Sequence, residues 1–443
     1  MSELLLSYYG DDLTGSTDVM EALASRGVPT VLFIEQPTAA RRARFADVRA
    51  IGLAGTSRGE SPAWMDEHLT PALAWLKSLG AAICHYKVCS TFDSSATVGS
   101  IGKAIDIGRA LFPRAKIPIV VGAPQLKRYT AFGNLFAAYQ GVNYRIDRHP
   151  VMSRHPVTPM READLRLHLA EQTNTAIDLV DLASLRETGI DDLVDEVMAG
   201  ASPAALFDVV DAETQRIVGG QIWRTRARDG AFLVGSSGVE YALLAEWARL
   251  GMIPGQASFT PPGAVDRIAV VSGSCSPTTE RQIRHAHANG FDAFPVDPRA
   301  LAASEAVAEA EAIAKGLASL EQGRSVILHT ALGPDTDVGG EIGDSEGGRQ
   351  AIGRALGRVQ RALVERSRLT RAVIAGGDTS SHALRQLGIY ALSTRLPLPT
   401  TPGSPLCVAH SDTPAFDGLE IALKGGQVGG ADYFLRIRDG DAG

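Results

Sequence analysis

The sequence predicts an α/β fold in two domains, each a largely parallel sheet flanked by helices. Three observations lead there. Short, β-branched apolar runs alternate with segments of helical period from one end of the chain to the other. The 443-residue length is that of two ordinary domains. Apolar residues make up 45% and charged residues 21%, enough to fill two cores and far from a disordered composition.

The chain opens with a βαβ pattern. Residues 4–9 read as a strand and 14–26 as a helix, with Val19 and Leu23 on one face and Gly27 as its stop; 30–34 read as the next strand. The alternation continues through 49–54 (strand), 62–79 (helix), 82–88 (strand), 94–111 (helix) and 117–122 (strand). A helix is expected at 160–173, a strand at 176–180, a helix at 191–198, strands at 205–210 and 232–235, and a helix at 239–250. Apolar strands separated by helices argue for parallel sheets covered on both faces. Periodicity then stops in a stretch rich in proline and glycine, which sets 1–252 as the first domain, 253–266 as a linker and 267–443 as the second domain. The second half repeats the pattern, with strands at 267–272, 325–330 and 372–375 and helices at 278–289 and 348–363. The acidic, glycine-rich stretch 333–347 reads as a long loop or lid.

Composition narrows the partners. Acids outnumber bases 50 to 43, for a net charge of −7, so nucleic acid is not an expected partner. No apolar segment reaches the roughly 20 residues of a membrane span, and the opening apolar run meets acids too soon for a signal peptide. Cys84, Cys89, Cys275 and Cys407 form no C-x-x-C or zinc pattern. A soluble, cytoplasmic protein with reduced thiols is expected; a homodimer is the assembly to be considered.

In open parallel sheets, ligands bind beyond the carboxyl ends of strands, so loops following strands carry the chemistry. The first such loop is Gly10-Asp11-Asp12-Leu13-Thr14-Gly15-Ser16-Thr17-Asp18. Adjacent side chains at a strand end diverge, so one acid can meet hydroxyls while the other binds a metal or supports the loop. The structural alternative is a capped turn in which Asp12 or Thr14 satisfies helix N–H groups. The second loop runs from Lys87 through Ser90, Thr91 and Asp93. A lysine followed by hydroxyls and an acid suits a polyhydroxylated carboxylate, against the alternative of a helix cap and a surface lysine. Four glycine- and hydroxyl-rich junctions remain: 235–238 (GSSG), 272–277 (SGSCSP), 376–381 (GGDTSS) and 424–430 (KGGQVGG). Absent side chains let backbone N–H groups approach phosphate oxygens, helped by the helix dipole. Glycine also serves ordinary tight turns. Three such junctions lie in the second domain, and a nucleotide site is inferred there.

Other chemistries lack their signatures. There is no G-x-x-x-x-G-K-[ST], no strand-following G-x-G-x-x-G with a later acid, and no H-E-x-x-H. His149 and His155 flank a proline-bearing loop, where packed or capping imidazoles are expected rather than a base.

Taken in order, GDDLTGSTD, HPVTPM, SGSCSPTT, AGGDTSSHALRQLG and KGGQVGG resemble the four-carbon acid sugar kinase family, whose members act on erythronate, threonate and 3-oxo-tetronates. The likeness spans nearly the whole chain. It implies a sugar-binding N-terminal domain, a nucleotide-binding C-terminal domain and an active site in the interdomain cleft. It further implies an ATP-dependent kinase, with Mg²⁺, that transfers the γ-phosphoryl group to a hydroxyl of a small sugar acid in carbohydrate catabolism. By motif, Asp11, Asp12, Thr14, Lys87, Ser90, Thr91 and Asp93 fall on the substrate side. Ser274, Gly376, Gly377, Asp378, Thr379 and Gly426 fall on the ATP side. Either Asp11 or Asp12 would orient or deprotonate the hydroxyl.

One departure stands out. Where many members have K-x-D-S-T-L-R-G, this chain reads Lys87-Val88-Cys89-Ser90-Thr91-Phe92-Asp93-Ser94. A carboxylate and a guanidinium are lost, which changes the tolerated hydroxyl pattern. The variant stretch resembles more closely the kinases of 3-oxo-isoapionate, a branched sugar acid. The rival readings are a nucleotide-cofactor-dependent sugar-acid dehydrogenase and a non-enzymatic sugar-acid sensor.

Overall fold

The computed structural model describes residues 3–336, 346–401 and 403–441, without the side chains of Glu346 and Asp378. Most of the expected loop or lid at 333–347 therefore lies outside the described residues. The described chain divides into two compact units, one of Met1–Val31 with Thr38–Ala257, the other of Leu32–Pro37 with Ser258–Gly443.

In the first unit the strands are β1 (Leu6–Gly10), β2 (Thr30–Phe33, shared with the second unit), β3 (Ala50–Ala54), β4 (Ile83–Lys87) and β5 (Ile117–Val120). After them come β6 (Arg128–Ala131), β7 (Asn134–Tyr139), β8 (Val142–Arg145), β9 (Ile177–Val180), β10 (Ala204–Phe207) and β11 (Ala231–Gly235). The parallel sheet of this unit runs β3-β1-β4-β11-β5-β10-β9. Every residue of β1, β4 and β11 is buried, as a strand covered on both faces requires. β1 has β3 on one side and β4 on the other, so the chain reverses its order at the carboxyl ends of β1 and β4. Such a switch point opens a crevice for ligand.

Helix Leu13–Ser25 follows β1, and helix Ala212–Thr225 packs on Gly238–Arg249. The latter pair comes so close that a Cβ on Gly219 would lie 2.0 Å from the Ala242 carbonyl oxygen. Trp223 meets Trp247 edge-on at 5.6 Å beside that contact.

The second unit contains β12 (Ala269–Ser272), β13 (Asp292–Pro295), β14 (Val326–His329), β15 (Arg371–Ala375), β16 (Ile389–Leu396), β17 (Leu406–Ser411) and β18 (Glu420–Lys424). Their order is β13-β14-β12-β15-β18-β17-β16, parallel up to β18 and antiparallel beyond it. Leu32 and Phe33 of the first segment pair with Leu392 and Ala391 of β16. β12 lies between β14 and β15, which makes a second switch point at the SGSCSP and GGDTSS loops. The fully buried Arg371 binds the carbonyls of Gly263, Ile437 and Arg438 and the carboxylate of Glu420, fixing the start and end of this unit to its sheet.

Several sequence expectations need correction. The helix expected at 94–111 spans only Ile101–Leu111, capped by Ser100, because Gly99 adopts φ +60° and Ser95 turns back onto Val98. The helix expected at 160–173 is confined to Leu165–Ala170, with Asp164 accepting from Arg166 N. Residues 62–79 form helical turns interrupted by a π-turn at Met65–Leu69. The antiparallel sheet β6-β7-β8, helix Ala212–Thr225, strand β13, helix Ala306–Glu321 and the β16–β17 pair were not anticipated.

Candidate functional site

Two clusters of candidate residues occupy the two switch points, one in each unit.

In the first unit, the amide of Asp11 donates to the Lys87 carbonyl (2.9 Å), which joins the ends of β1 and β4. Asp11 is 5% exposed, and its Oδ1 is buried without a hydrogen-bond partner. Burial, then repulsion from Asp12, push its carboxyl up to about 7, against the pull of Arg58 and Lys87. Asp12 is differently placed. Its Oδ1 accepts from Gly15 N (2.5 Å) as the N-cap of helix Leu13–Ser25, and its Oδ2 accepts from Arg58 (3.0 Å). The capping role weighed for this turn is thus filled by Asp12; Thr14 lends its carbonyl to Thr17 Oγ1.

Lys87 is not the surface lysine of the structural alternative, being only 3% exposed. Burial works to lower it, but the carboxylates of Asp18, Asp11 and Asp12 prevail and hold it raised. A Cβ on Gly15 would stand 2.8 Å from both Lys87 Nζ and Asp12 Oδ1, so only glycine leaves room for the ammonium there.

Asp93 is buried and receives three side chains. Arg58 donates to both its oxygens (3.1 and 3.2 Å), Thr91 Oγ1 donates to Oδ1 (2.5 Å) and Thr158 Oγ1 to Oδ2 (3.0 Å). Burial alone would raise Asp93; Arg58 and Thr91 outweigh it and leave it lowered. Between Thr91 and Asp93, the buried Phe92 adopts φ +57°, an uncommon backbone for an aromatic residue, in a turn closed by its N–H on the Cys89 carbonyl. Thr91 Oγ1 also lies 3.0 Å from Cys89 Sγ, and Ser90 is half-buried in the same turn.

The structure thus brings Asp11, Asp12, Lys87, Thr91 and Asp93 together, with Thr14 and Ser90 at the margin. Sequence reasoning missed Arg58, which bridges Asp12 and Asp93, and the contribution of Thr158. Arg58 follows β3, so the rule that singled out the other loops would have found it. His149 and His155 are capping imidazoles, accepting from Val151 N and Met152 N, and from Thr158 N. Ser94 belongs to a buried contact with His168 and Gln172 rather than to a helix.

In the second unit, three loops converge at the ends of β12, β15 and β18. Ser274 is buried, its Oγ 3.0 Å from Thr279 Oγ1 and accepting from Ser276 N. Ser276 caps helix Pro277–Ala288. The Gly376 amide donates to the Lys424 carbonyl (2.8 Å), tying the second loop to the third. Gly376 has φ +117° and precedes helix Gly377–Gln386, which has no side-chain cap at its N-terminus. That start, glycine-lined and uncapped, has the character of an anion site. Thr379 packs so tightly that a Cβ on Gly273 would fall 2.2 Å from its Oγ1. Gly426 gives its carbonyl to Thr279 Oγ1 (3.3 Å). Asp378 lies in the helix, and its side chain is outside the described residues.

Lys424, a further residue missed as a candidate, is fully buried at the centre of these loops. Its Nζ donates to Thr279 Oγ1 (2.9 Å) and the Gly425 carbonyl (2.8 Å). No ion-pair partner is found for it among the described residues, and burial lowers it to about 7. The fourth junction, 235–238, is packing: a Cβ on Gly235 would meet the Val120 carbonyl oxygen at 1.9 Å, and Ser236 Oγ donates to the Val121 carbonyl. Among the described residues, no group of three histidine, cysteine, aspartate or glutamate side chains is placed to hold a metal, and no helix is long and apolar enough to cross a membrane.

A cluster of carboxylates and cations at one switch point and a set of glycine- and hydroxyl-rich loops at another suit an enzyme with separate acceptor and nucleotide units. Comparison with known proteins agrees. A sugar-binding N-terminal domain family matches residues 6–243, and a nucleotide-binding C-terminal domain family matches residues 269–434. The chain belongs to the acid sugar kinase family. It is 51% identical to a 3-oxo-isoapionate kinase of Paraburkholderia graminis over 99% of this chain and 94% of that protein. A 3-oxo-tetronate kinase of Methylobacterium radiotolerans is 30% identical over 98% of this chain and 99% of its own length. Crystal structures of a Salmonella typhimurium LT2 protein (TM-score 0.78, 98% of each chain) and of Haemophilus influenzae protein HI1011 (TM-score 0.74, 98% and 99%) share the fold at 24% identity. The dehydrogenase and sensor readings find no support among these relatives.

Proposed function

We propose that this kinase phosphorylates a hydroxyl of 3-oxo-isoapionate, or of a close branched sugar acid, with ATP as donor. In this reading residues 1–252 bind the acid, 267–443 bind the nucleotide and 253–266 join them, in the cytoplasm. The observation that carries it is Asp11: a buried carboxylate with an unpartnered oxygen, beside two cations, at the end of β1.

Lys87 and Arg58 supply the positive charge for the substrate carboxylate. Thr91, Ser90 and Asp93 meet its hydroxyls. Asp11 takes the proton of the attacking hydroxyl through Oδ1, as suits a group tuned to near-neutral pH. Asp12 holds the loop and orients Arg58. Ser274, Gly376, Gly377, Thr379 and Gly426, with Asp378 by motif, hold the nucleotide through backbone amides and hydroxyls, and Lys424 supplies charge. When bound, ATP contributes the γ-phosphoryl group, and ADP leaves as the new O–P bond forms. Mg²⁺ would accompany the phosphates of the bound nucleotide.

Two features support the branched acid over a 3-oxo-tetronate: the 51% identity to a kinase of that name, and Cys89 in place of an acid. The test is ADP release across a panel of C4 and branched C5 sugar acids and their 3-oxo forms. The highest kcat/KM is expected for 3-oxo-isoapionate. Equal or greater activity on 3-oxo-tetronates, or no ATP consumption with any of them, overturns the assignment.

A further inference from the structure

The charges gathered at the first unit's switch point leave nothing over for an acidic substrate. Arg58 is shared between Asp12 and Asp93, and Lys87 answers to Asp18, Asp11 and Asp12. Burial favours the neutral forms of Asp11 and Asp18, and with both protonated the two cations only cancel Asp12 and Asp93. Once Asp11 is ionised, as a base must be, the sum is negative, and an arriving carboxylate is repelled unless a further cation attends it. We propose that Arg128, at the start of β6, takes hold of the substrate's carboxylate oxygens, with Lys87 and Arg58 supplying the field around them; the proposal rests on the sugar-acid reading above.

The first argument is what Arg128 lacks. The residue is half-buried, and its Nη1 donates to the carbonyls of Leu126 (3.0 Å) and Lys127 (3.2 Å). Its Nε is buried without a partner; its Nη2 also has none among the described residues, but is open to solvent. The groups within its electrostatic reach are Cys89, Tyr129 and His149, and no carboxylate is among them. His149 is spent on its own turn, where Nδ1 accepts from Val151 N and Met152 N. Burial of this kind disfavours the guanidinium's charge, and an anion docking at Nη2 restores it. A planar carboxylate fits the fork of an arginine better than any single hydroxyl does.

The second argument is place. Cys89 lies within electrostatic reach of Arg58, Lys87 and Arg128 together. Its sulfur is 3.0 Å from the Thr91 hydroxyl, which donates to Asp93, so Arg128 stands beside the turn proposed to meet the substrate. The backbone there is fixed. Arg128 and Ala123 exchange both hydrogen bonds (2.9 and 3.1 Å), which ties β6 to the segment after β5. Thr130 and Val209 do the same (2.9 and 3.2 Å) just beyond β10. Across the small sheet Arg128 pairs with Ala137, and Ala137 with Tyr144, so all three share one face. The guanidinium is thus anchored through Nη1 and free at Nη2, an arrangement that costs little to order when a ligand arrives. Arg128 begins a strand rather than following one, so the rule of strand ends passes over it.

The test compares 3-oxo-isoapionate with its primary amide, which keeps the shape and loses the charge, as acceptors in turnover and as calorimetric ligands of the full-length protein. Arg128→Met should raise KM for the acid about ten- to hundredfold, the loss of a charge-assisted pair, with kcat within about threefold. For the amide the same variant should stay within about threefold in KM. Arg128→Lys, which keeps the charge and loses the fork, should fall between the native protein and the methionine variant, and it tests the proposal by itself should Arg128→Met fail to fold. A merely structural arginine, needed only to close the Leu126–Lys127 turn, would penalise acid and amide alike; that result overturns the proposal, as does an unchanged KM for the acid. Native protein that phosphorylates the acid and the amide equally well removes Arg128 and leaves the kinase reading standing. Protein that binds the acid in an Arg128-dependent way yet consumes no ATP sinks the kinase reading and leaves the carboxylate site in place.

Discussion

Replacing Asp11 with asparagine tests the proposed acceptor site directly, because the same burial that suits Asp11 to the role of base proposed for it makes its charge a burden on the fold. Its carboxyl stands at about 7 in the folded chain against an ordinary 3.8. Between those values the folded protein holds a proton that the unfolded chain has released, so stability falls as pH rises from about 4 to about 7. At 1.36 kcal/mol per pH unit the ceiling is about 4 kcal/mol, fully felt above pH 7. Asp11→Asn removes that burden, and thermal unfolding at pH 8 should shift upward by on the order of 5–10 °C. At pH 5 the native side chain is already neutral, so the two melting curves should draw together. Activity moves the other way. With saturating ATP, kcat/KM for the sugar acid should climb about tenfold per pH unit below pH 7 and level off above it. The variant should be flat and lower by about 10²–10⁴, the usual contribution of a general base. A variant that keeps the acid limb, or loses less than tenfold, refutes Asp11 as the base; unchanged melting at pH 8 refutes the buried charge.

Arg58→Ala strips the cation from Asp12, Asp93 and Asp11. Since Arg58 holds Asp11 down, the ascending limb should move to higher pH and KM for the acid should rise at least about tenfold, with partial recovery in Arg58→Lys; an unmoved limb counts against the network. Lys424 is lowered to about 7, so nucleotide phosphates should return its proton. Calorimetry at pH 7.5 in buffers of different ionisation enthalpy should show proton uptake on ATP binding, absent in Lys424→Met along with about tenfold or more in affinity. For the ligand-free unit, stability should rise with pH above 7 as the unfolded lysine alone keeps its proton. Cys89→Asp places an acid beside Thr91 and should shift kcat/KM by at least about tenfold toward 3-oxo-tetronates and away from 3-oxo-isoapionate; an unchanged ratio removes Cys89 from specificity.

How much of the fold was legible follows from where each segment is buried. Strands such as β1, β4 and β11 are covered on both faces, so their apolar runs are unbroken and visible in the sequence. β7 alternates between buried and half-buried positions in a small sheet with exposed ends, and its pattern, NLFAAY, carries too little contrast to be read. Helix Ala212–Thr225 was hidden by Gly219 and Gly220, poor helix formers; Gly219 is needed for close approach to Ala242, a demand set by the partner helix. The overlong helix at 94–111 failed for the opposite reason. Its first residues satisfy helical spacing, but Ser94, Ser95 and Ser100 bond locally or to His168, and Gly99 takes a backbone no helix admits.

The candidate site was legible to the level of loops and not of roles. The rule of strand ends picked out the Asp11–Asp12 pair, Lys87 and Asp93, and it applies equally to the loop bearing Arg58, 46 residues from Asp12. What it could not do was separate two neighbouring aspartates of identical chemistry. That separation is made by partners distant in sequence. Asp12 receives a helix N–H and a guanidinium, and so becomes part of the frame. Asp11 is turned toward the Lys87 strand end, loses its water, and keeps one oxygen without a donor. The same contrast divides the second unit, where Ser274 and Thr379 are held by neighbours while Lys424 is left as a buried cation with no carboxylate beside it among the described residues. In each unit the residue proposed to act is the one whose electrostatic demand the fold leaves unmet, and bringing a polyol hydroxyl to Asp11 and a phosphate to Lys424 meets both demands.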